Sequence, residues 1–486
     1  MQNPNRDAQA VGHGAPSTLQ ALRAGLRLAV QSAIYRITCH LLSHPWLMKV
    51  SFALLRRVRP ITVVGSLTVV TKASDVREVL ERFEDFTLND VLAEGMPWGP
   101  FMMSIDWREQ HDRERGLLWS VVQPAVDIEQ VRAIAQAAAA DLIRHAQQNY
   151  AGRGEIDVVA GLAEPVMVRV FAQYLGITAI NRDEAEMAIT VRRLAALIMV
   201  RPPEGSERWR LTRESVDKIS EHLRTLIHDR RVMVEAQPNR PAAVAGNGDL
   251  LTRLVTLLAN GAANAHPAWF NESWIQRYFA GLASTGAATI VRGTTHAFDR
   301  LLAHPTAFRR AQKIAQRLHQ AEMQLQALSQ QPASTPGQRQ AAVRQVDELR
   351  QRLQQMIYEA LRFRPMLSLL VRGCPRETII AKDTKRARTV SAGARVLVPP
   401  LAAMTDPEVF EMPWRYCSAR PIEDYMHFGH GPRVCFGKYI ADVVLIEIIG
   451  ALLRLPGLSR AHGSQGRVGY DGPAVGSLWL TFGEDR

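Results

Sequence analysis

Apolar residues recur at helical spacing from Ser17 to Leu55, interrupted by Arg23, Arg27, Arg36 and Lys49. This predicts one or two amphipathic helices with a basic face. Two uses of that face stay open: packing on the body of the protein, or contact with a membrane surface through residues 17–55. Residues 61–71, ITVVGSLTVVT, read as two short strands around a Gly65-Ser66 turn. Ser74 is then placed to cap a short helix, DVREVLERF. From Trp107 to Arg362 the period is helical, with breaks at 201–205 (RPPEG) and at 237–248, a loop rich in Pro, Ala, Asn and Gly. Residues 312–352 are rich in Gln, Arg and Ala, and STPG at 334–337 divides them into a surface hairpin of helices. A strand-rich patch covers 367–400 with Gly393 at a turn, and a long apolar helix runs from about Phe436 to Leu455. Many helices with small sheets near both ends predict an α-rich α+β fold.

The chain has 486 residues, 47% hydrophobic and 22% charged, which excludes wholesale disorder and collagen-like repetition. A chain of this length can enclose a cofactor without staples. Roughly 150 residues per domain would allow three units or one large fold. Lys and Arg number 59 against 47 Asp and Glu, so the net charge is +12. This favours acidic partners or an anionic surface without choosing between them. No apolar run reaches 18 residues, so no spanning helix is expected. The opening MQNPNRD lacks the apolar core of a signal peptide, and residues 1–16 are expected to be loose. Cys39, Cys374, Cys417 and Cys435 form no C-x-x-C pair, which argues against a disulfide framework or structural zinc and fits a reducing cytoplasm.

Chemistry concentrates in residues 428–437, FGHGPRVCFG. Gly429 and Gly431 permit a tight turn with positive φ. Cys435 follows at the start of the last apolar helix, where a helix N-terminus favours thiolate, and Arg433 stands beside any anion bound there. A lone cysteine is more often a small core residue, the reading given to Cys39, Cys374 and Cys417. The glycine spacing fits neither a dinucleotide loop nor a phosphate-binding loop. The ten residues resemble the haem-binding signature of the cytochrome P-450 family, F-G-x-G-x-R-x-C-x-G, with every defined position filled. The resemblance implies haem b with Cys435 as its axial thiolate, a ligand that favours O–O cleavage, and Arg433 on a propionate.

Other segments add to the resemblance. Glu359 and Arg362 lie three apart on a helix and match the family's E-x-x-R, with Arg420 as third partner of a structural network. Arg372 resembles the strand arginine that binds a propionate. His111 and Arg115, four apart and on one helical face, resemble the pair that grips propionates. The likeness runs from about Ile61 to Phe482. It implies one large haem-thiolate domain at 57–486, carrying a helical insertion at about 312–352, behind a basic amphipathic extension at 1–56.

Asn271 can cap a helix reaching about Ala303, roughly 48 Å long. Its middle, AGLASTGAATIV, resembles the family's oxygen-activating helix. Thr289, sixteen residues before Pro305, takes the alcohol position, and Ala288 takes the place of the family's acid. No carboxylate occurs between Glu272 and Asp299. The resemblance implies a monooxygenase that hydroxylates or epoxidises an apolar small molecule, the pocket being built from residues 92–103 and the long helix. No flavin or nicotinamide fingerprint is present, so electrons would come from an acidic ferredoxin or flavodoxin docking on Arg108, Arg113, Arg415 and Lys438. The absent acid supports an alternative, a haem-thiolate enzyme that rearranges a hydroperoxide or acts as a peroxygenase. A basic scaffold or nucleic-acid binder is the rival from another class; it predicts a colourless protein, and no nucleic-acid partner is expected.

Overall fold

The computed structural model describes residues 18–148, 154–236, 248–260 and 267–483. The expected loose residues 1–16 and most of the 237–248 break lie outside the described residues. The N-terminal periodicity becomes two helices, α1 (Thr18–Ser43) and α2 (Trp46–Val58), parted at His44-Pro45, where proline restricts the residue before it. Strands β1 (Ile61–Val64) and β2 (Leu67–Val70) pair antiparallel around Gly65, whose φ is +58°. Helix α3 (Ala73–Glu81) follows, and here one expectation is corrected. Ser74 lies inside α3 and makes no cap; the Ala73 N–H donates instead to the Asp406 carboxylate at 2.8 Å. A charged acceptor arriving from far along the chain displaces the local hydroxyl.

The helical body comprises α4 (Asn89–Leu92), α5 (Arg108–Ser120), α6 (Pro124–Gln148), α7 (Glu164–Val170), α8 (Glu184–Met199), α9 (Glu207–Glu235) and α10 (Leu250–Asn260). A short strand, β3 (Gly154–Asp157), follows α6. The long helix α11 (Glu272–Leu302) crosses the centre and packs on α7, α8, α9 and, further along the chain, on α13 (Pro336–Phe363) and α15 (Lys438–Leu453). Asn271 caps it as expected, its side chain accepting from the Trp274 N–H at 3.0 Å. The hairpin is α12 (Pro305–Gln330) folded back on α13, longer at both ends than the composition shift marks. Thr335 and Gln338 close a capping box at the turn.

The strand-rich patch holds β4 (Leu370–Cys374), β5 (Thr378–Ile380), β6 (Arg388–Val390) and β7 (Ala394–Val398), followed by α14 (Pro400–Ala403). Beyond α15 come β8 (Ser459–Arg460), β9 (Gly469–Asp471), β10 (Ala474–Ser477) and β11 (Trp479–Phe482). The largest sheet has the order β1-β2-β7-β4, with β2 parallel to β7 in the register Leu67↔Arg395. Strand β11 sits between β3 and β8. The architecture is the expected α-rich α+β fold.

Candidate active site

The loop before α15 is built for close approach. Gly429 and Gly431 have φ of +78° and +72°, and a Cβ on Gly431 would stand 2.8 Å from the Leu80 carbonyl oxygen at the end of α3. The Cys435 N–H donates to the Phe428 carbonyl at 2.9 Å and the Val434 N–H to that of Gly431 at 3.0 Å, which fixes the loop. Cys435 opens onto a hollow of about 580 Å³ bordered by Arg115, Trp119, Phe436, Lys438 and Tyr439. Burial pushes its thiol up, while the Gly437 N–H and the Arg115 guanidinium draw it back towards thiolate. The other three cysteines are free, Cys39 and Cys374 in the core and Cys417 half-buried.

Around this loop the structure gathers the basic residues read from the sequence. His111 and Arg115 project from α5; His111 is 1% exposed and its Nδ1–H donates to Asp112 at 2.9 Å. Its Nε2 is buried without a partner among the described residues. Arg433 sits over Phe83, its Cζ 3.5 Å from the ring centroid, and donates to Asp106 at 2.7 Å. Phe83 also meets the His111 ring at 5.0 Å. Arg372, buried in β4, donates to the Val371 carbonyl and to nothing else among the described residues. Burial and the neighbouring Arg433 push it down to about 9, and burial brings Arg433 to about 10. Burial likewise lowers His111, with Arg115 and Arg433 adding repulsion. Positive charge in this cluster exceeds what Asp106 can balance, and a buried ring nitrogen lacks a partner. Those residues fit haem b: a thiolate for iron, guanidinium donors for two propionates, and a His111 ring that donates from Nε2 once a propionate beside it favours the protonated form.

Behind the loop, Glu359 and Arg362 are both fully buried and pair at 2.7 and 2.8 Å. Glu359 also accepts from the Cys417 N–H and the Tyr425 hydroxyl, each at 2.9 Å. Arg362 donates onward to the carbonyls of Met404, Pro413 and Arg415. Arg420 approaches Glu359 at 3.7 Å. The three residues thus meet, and they clamp the 404–420 segment that leads into the cysteine loop.

On α11, the Thr289 hydroxyl donates to the Thr285 and Gly286 carbonyls at 2.7 and 2.9 Å. Ser284 and Thr285 bond back in the same way to Ala280 and Gly281. Phe101 fills the notch at Gly281, where a Cβ would lie 2.7 Å from its ring. Met102 accepts from Arg115 at 3.4 Å, so the 92–103 segment joins α11 to the basic cluster.

Two acids escaped the sequence reading. Glu114, between the site residues of α5, is 2% exposed and accepts from Trp274, Arg277 and Tyr278 of α11 at 2.8–3.2 Å. Glu164 of α7 pairs with Arg192 of α8 at 2.9 Å, and both line a small hollow with Ala288. Burial pushes the Glu164 carboxyl up against the pull of Arg192. Of the arginines and lysine expected to meet an electron donor, Arg108 is paired with Asp112 and Lys438 with Asp442, while Arg113 and Arg415 have no carboxylate partner among the described residues.

Comparison with known proteins follows the same lines. A curated bifunctional dioxygenase–epoxy alcohol synthase of Fusarium oxysporum is 36% identical over 106 residues, 22% of this chain and 8% of its own length. A linoleate diol synthase of Gaeumannomyces graminis is 38% identical over 86 residues, 18% of this chain and 7% of its own. The chain therefore spans less than a tenth of the length of these two curated relatives. Among solved structures, cytochrome P450 PksS of Bacillus subtilis superposes with a TM-score of 0.66 at 18% identity, covering 92% of this chain and 98% of that one. CYP109E1 of Bacillus megaterium in complex with testosterone gives 0.63 at 17% identity, covering 89% and 98%. These two likenesses show the shared fold. The family model for cytochrome P450 matches residues 64–465, which takes in β2, β4 and β7, the basic cluster, α11, the Glu359 network and the cysteine loop. The chain belongs to the cytochrome P450 family, whose members bind haem b through a cysteine thiolate.

Proposed function

We propose that this haem-thiolate oxidoreductase redistributes the two oxygen atoms of a hydroperoxide carried on a long apolar chain, giving an epoxy alcohol or a diol. One observation carries the reading: α11 offers no carboxylate beside Thr289, and the Thr289 hydroxyl is engaged by the carbonyls of its own helix. Reductive use of dioxygen consumes protons and electrons, whereas this rearrangement is an isomerisation. The O–O bond breaks, one oxygen stays on its carbon as hydroxyl, and the other enters a C=C or C–H bond of the same molecule. The names of the two fungal relatives support this product class.

Haem b, when bound, supplies a thiolate-ligated iron suited to O–O cleavage. Cys435 holds the negative charge that ligates it. Arg372, Arg433, His111 and Arg115 hold its carboxylates, and Phe101 with the central turns of α11 excludes water from the substrate. The test is to give the holoenzyme an unsaturated fatty-acid hydroperoxide without donor. Isomeric products are expected; turnover seen only with dioxygen and a reduced donor would reject the reading.

A second reading, monooxygenation fed by an acidic ferredoxin or flavodoxin, is favoured by Glu164, a carboxyl brought by another helix to the flank of Ala288. Under it, Glu164→Gln lowers donor-dependent turnover by about 10²-fold, the usual size of a lost proton donor, and raises the solvent isotope effect. Hydroperoxide turnover stays the same.

A further inference from the structure

We infer that the outer faces of α1, α2 and the β1–β2 turn form a docking surface for a bilayer rich in anionic lipid. Among the described residues, 23 large apolar side chains are exposed, and 12 of them fall within residues 22–67. Eight of these recur at four-residue spacing. On α1 the stripe includes Leu22 (76% exposed), Leu26 (68%) and Ile34 (59%); on α2 it includes Trp46 (71%), Leu54 (62%) and Val58 (76%). Val64, beside the strand turn, continues it at 69%. An apolar area of this extent on a folded surface marks an interaction site.

The C-terminal end of α1 and one side of α2 are fastened to the body of the protein. Arg292 of α11 donates to the Leu42 carbonyl at 3.0 Å and Arg364 to the Ser43 carbonyl at 2.7 Å. On α2, Arg56 is buried and donates to the carbonyls of Thr71 and Thr405. With these anchors in place the apolar side chains stand exposed.

Charge selects the occupant. No Asp or Glu occurs from Ala8 to Ser74. Arg23, Arg27, Arg36, Arg57 and Arg59 are exposed on the same elements with no carboxylate partner among the described residues. A second copy on this face would bring arginines against arginines. An anionic headgroup layer satisfies both the arginines and the apolar stripe, the latter lying in the acyl boundary. None of the described helices is long and apolar enough to cross a membrane, so the surface lies on the bilayer.

The test uses holoenzyme and sedimented vesicles of phosphatidylcholine alone, or with phosphatidylglycerol added. Binding to the mixed vesicles is expected, weakening at high salt, with little on the neutral ones. Arg23→Gln and Arg27→Gln should each weaken it about fivefold. Leu26→Glu with Leu54→Glu, at exposed positions, should abolish it while the haem spectrum and turnover persist. No binding to anionic vesicles would overturn the inference. So would equal binding by the Glu variant, or a dimer in free solution that the Glu variant disperses. Turnover is read separately, so failure here leaves the proposed reaction standing.

Discussion

Arg372 shows what a single buried charge asks of its surroundings. It sits in β4 with one carbonyl for company and Arg433 as neighbour, so an anionic group held there relieves a repulsion as well as making bonds. Arg372→Ala is expected to speed haem loss by about tenfold or more, measured as transfer to a haem-free globin, with the thiolate spectrum of the retained haem unchanged. Glu359 is the opposite case, a carboxylate whose acceptor sites are filled by Arg362, Cys417 and Tyr425. Glu359→Ala strands a fully buried guanidinium and should cost about 3–5 kcal/mol, read from urea unfolding. Much at this scale was legible in the sequence, because a thiolate loop needs its glycines and its cysteine at fixed offsets along one stretch. Glu114 was not legible. Within WREQHDRER it reads as one more charge of a polar helix, and Trp274, Arg277 and Tyr278, 160 to 164 residues away, make it an anchor.

Among the elements, α15 carries a polar residue inside an apolar helix. Glu447 is buried beside Gln136 and Arg132, and burial, helped by Glu322, pushes its carboxyl up from 4.5 to about 7. The folded helix therefore keeps a proton that the unfolded chain releases near pH 4.5. Its contribution falls as pH rises from about 4.5 to 7 and is constant above. Glu447→Gln removes that slope: variant and parent should unfold alike at pH 4, and at pH 8 the variant should be more stable by up to about 3 kcal/mol in urea titrations. Helices such as α11 and α15 were legible because many turns repeat one period. Strands β3 and β8 to β11, two to four residues each, offer too few alternations to register; distant partners define them, as Asp157 opposite Trp479 shows. The misplaced cap on α3 has the same cause, since Asp406 lies more than 300 residues from the N–H it binds.

At the scale of the whole molecule, the basic cluster and the Glu359 network flank one cysteine loop, so haem bound there would stabilise the fold that holds it. Extraction of haem should lower the melting temperature by several degrees, and one equivalent of haem should restore it, as calorimetry would show. The sheet order β1-β2-β7-β4 carries a further consequence, for biosynthesis. The β1–β2 hairpin leaves the ribosome well before the strand it needs, which begins at Ala394. At about 5–20 residues per second, Leu67 waits tens of seconds for Arg395. Throughout that interval the nascent hairpin presents an unpaired β2 edge, which makes this enzyme a client for whatever shields growing chains.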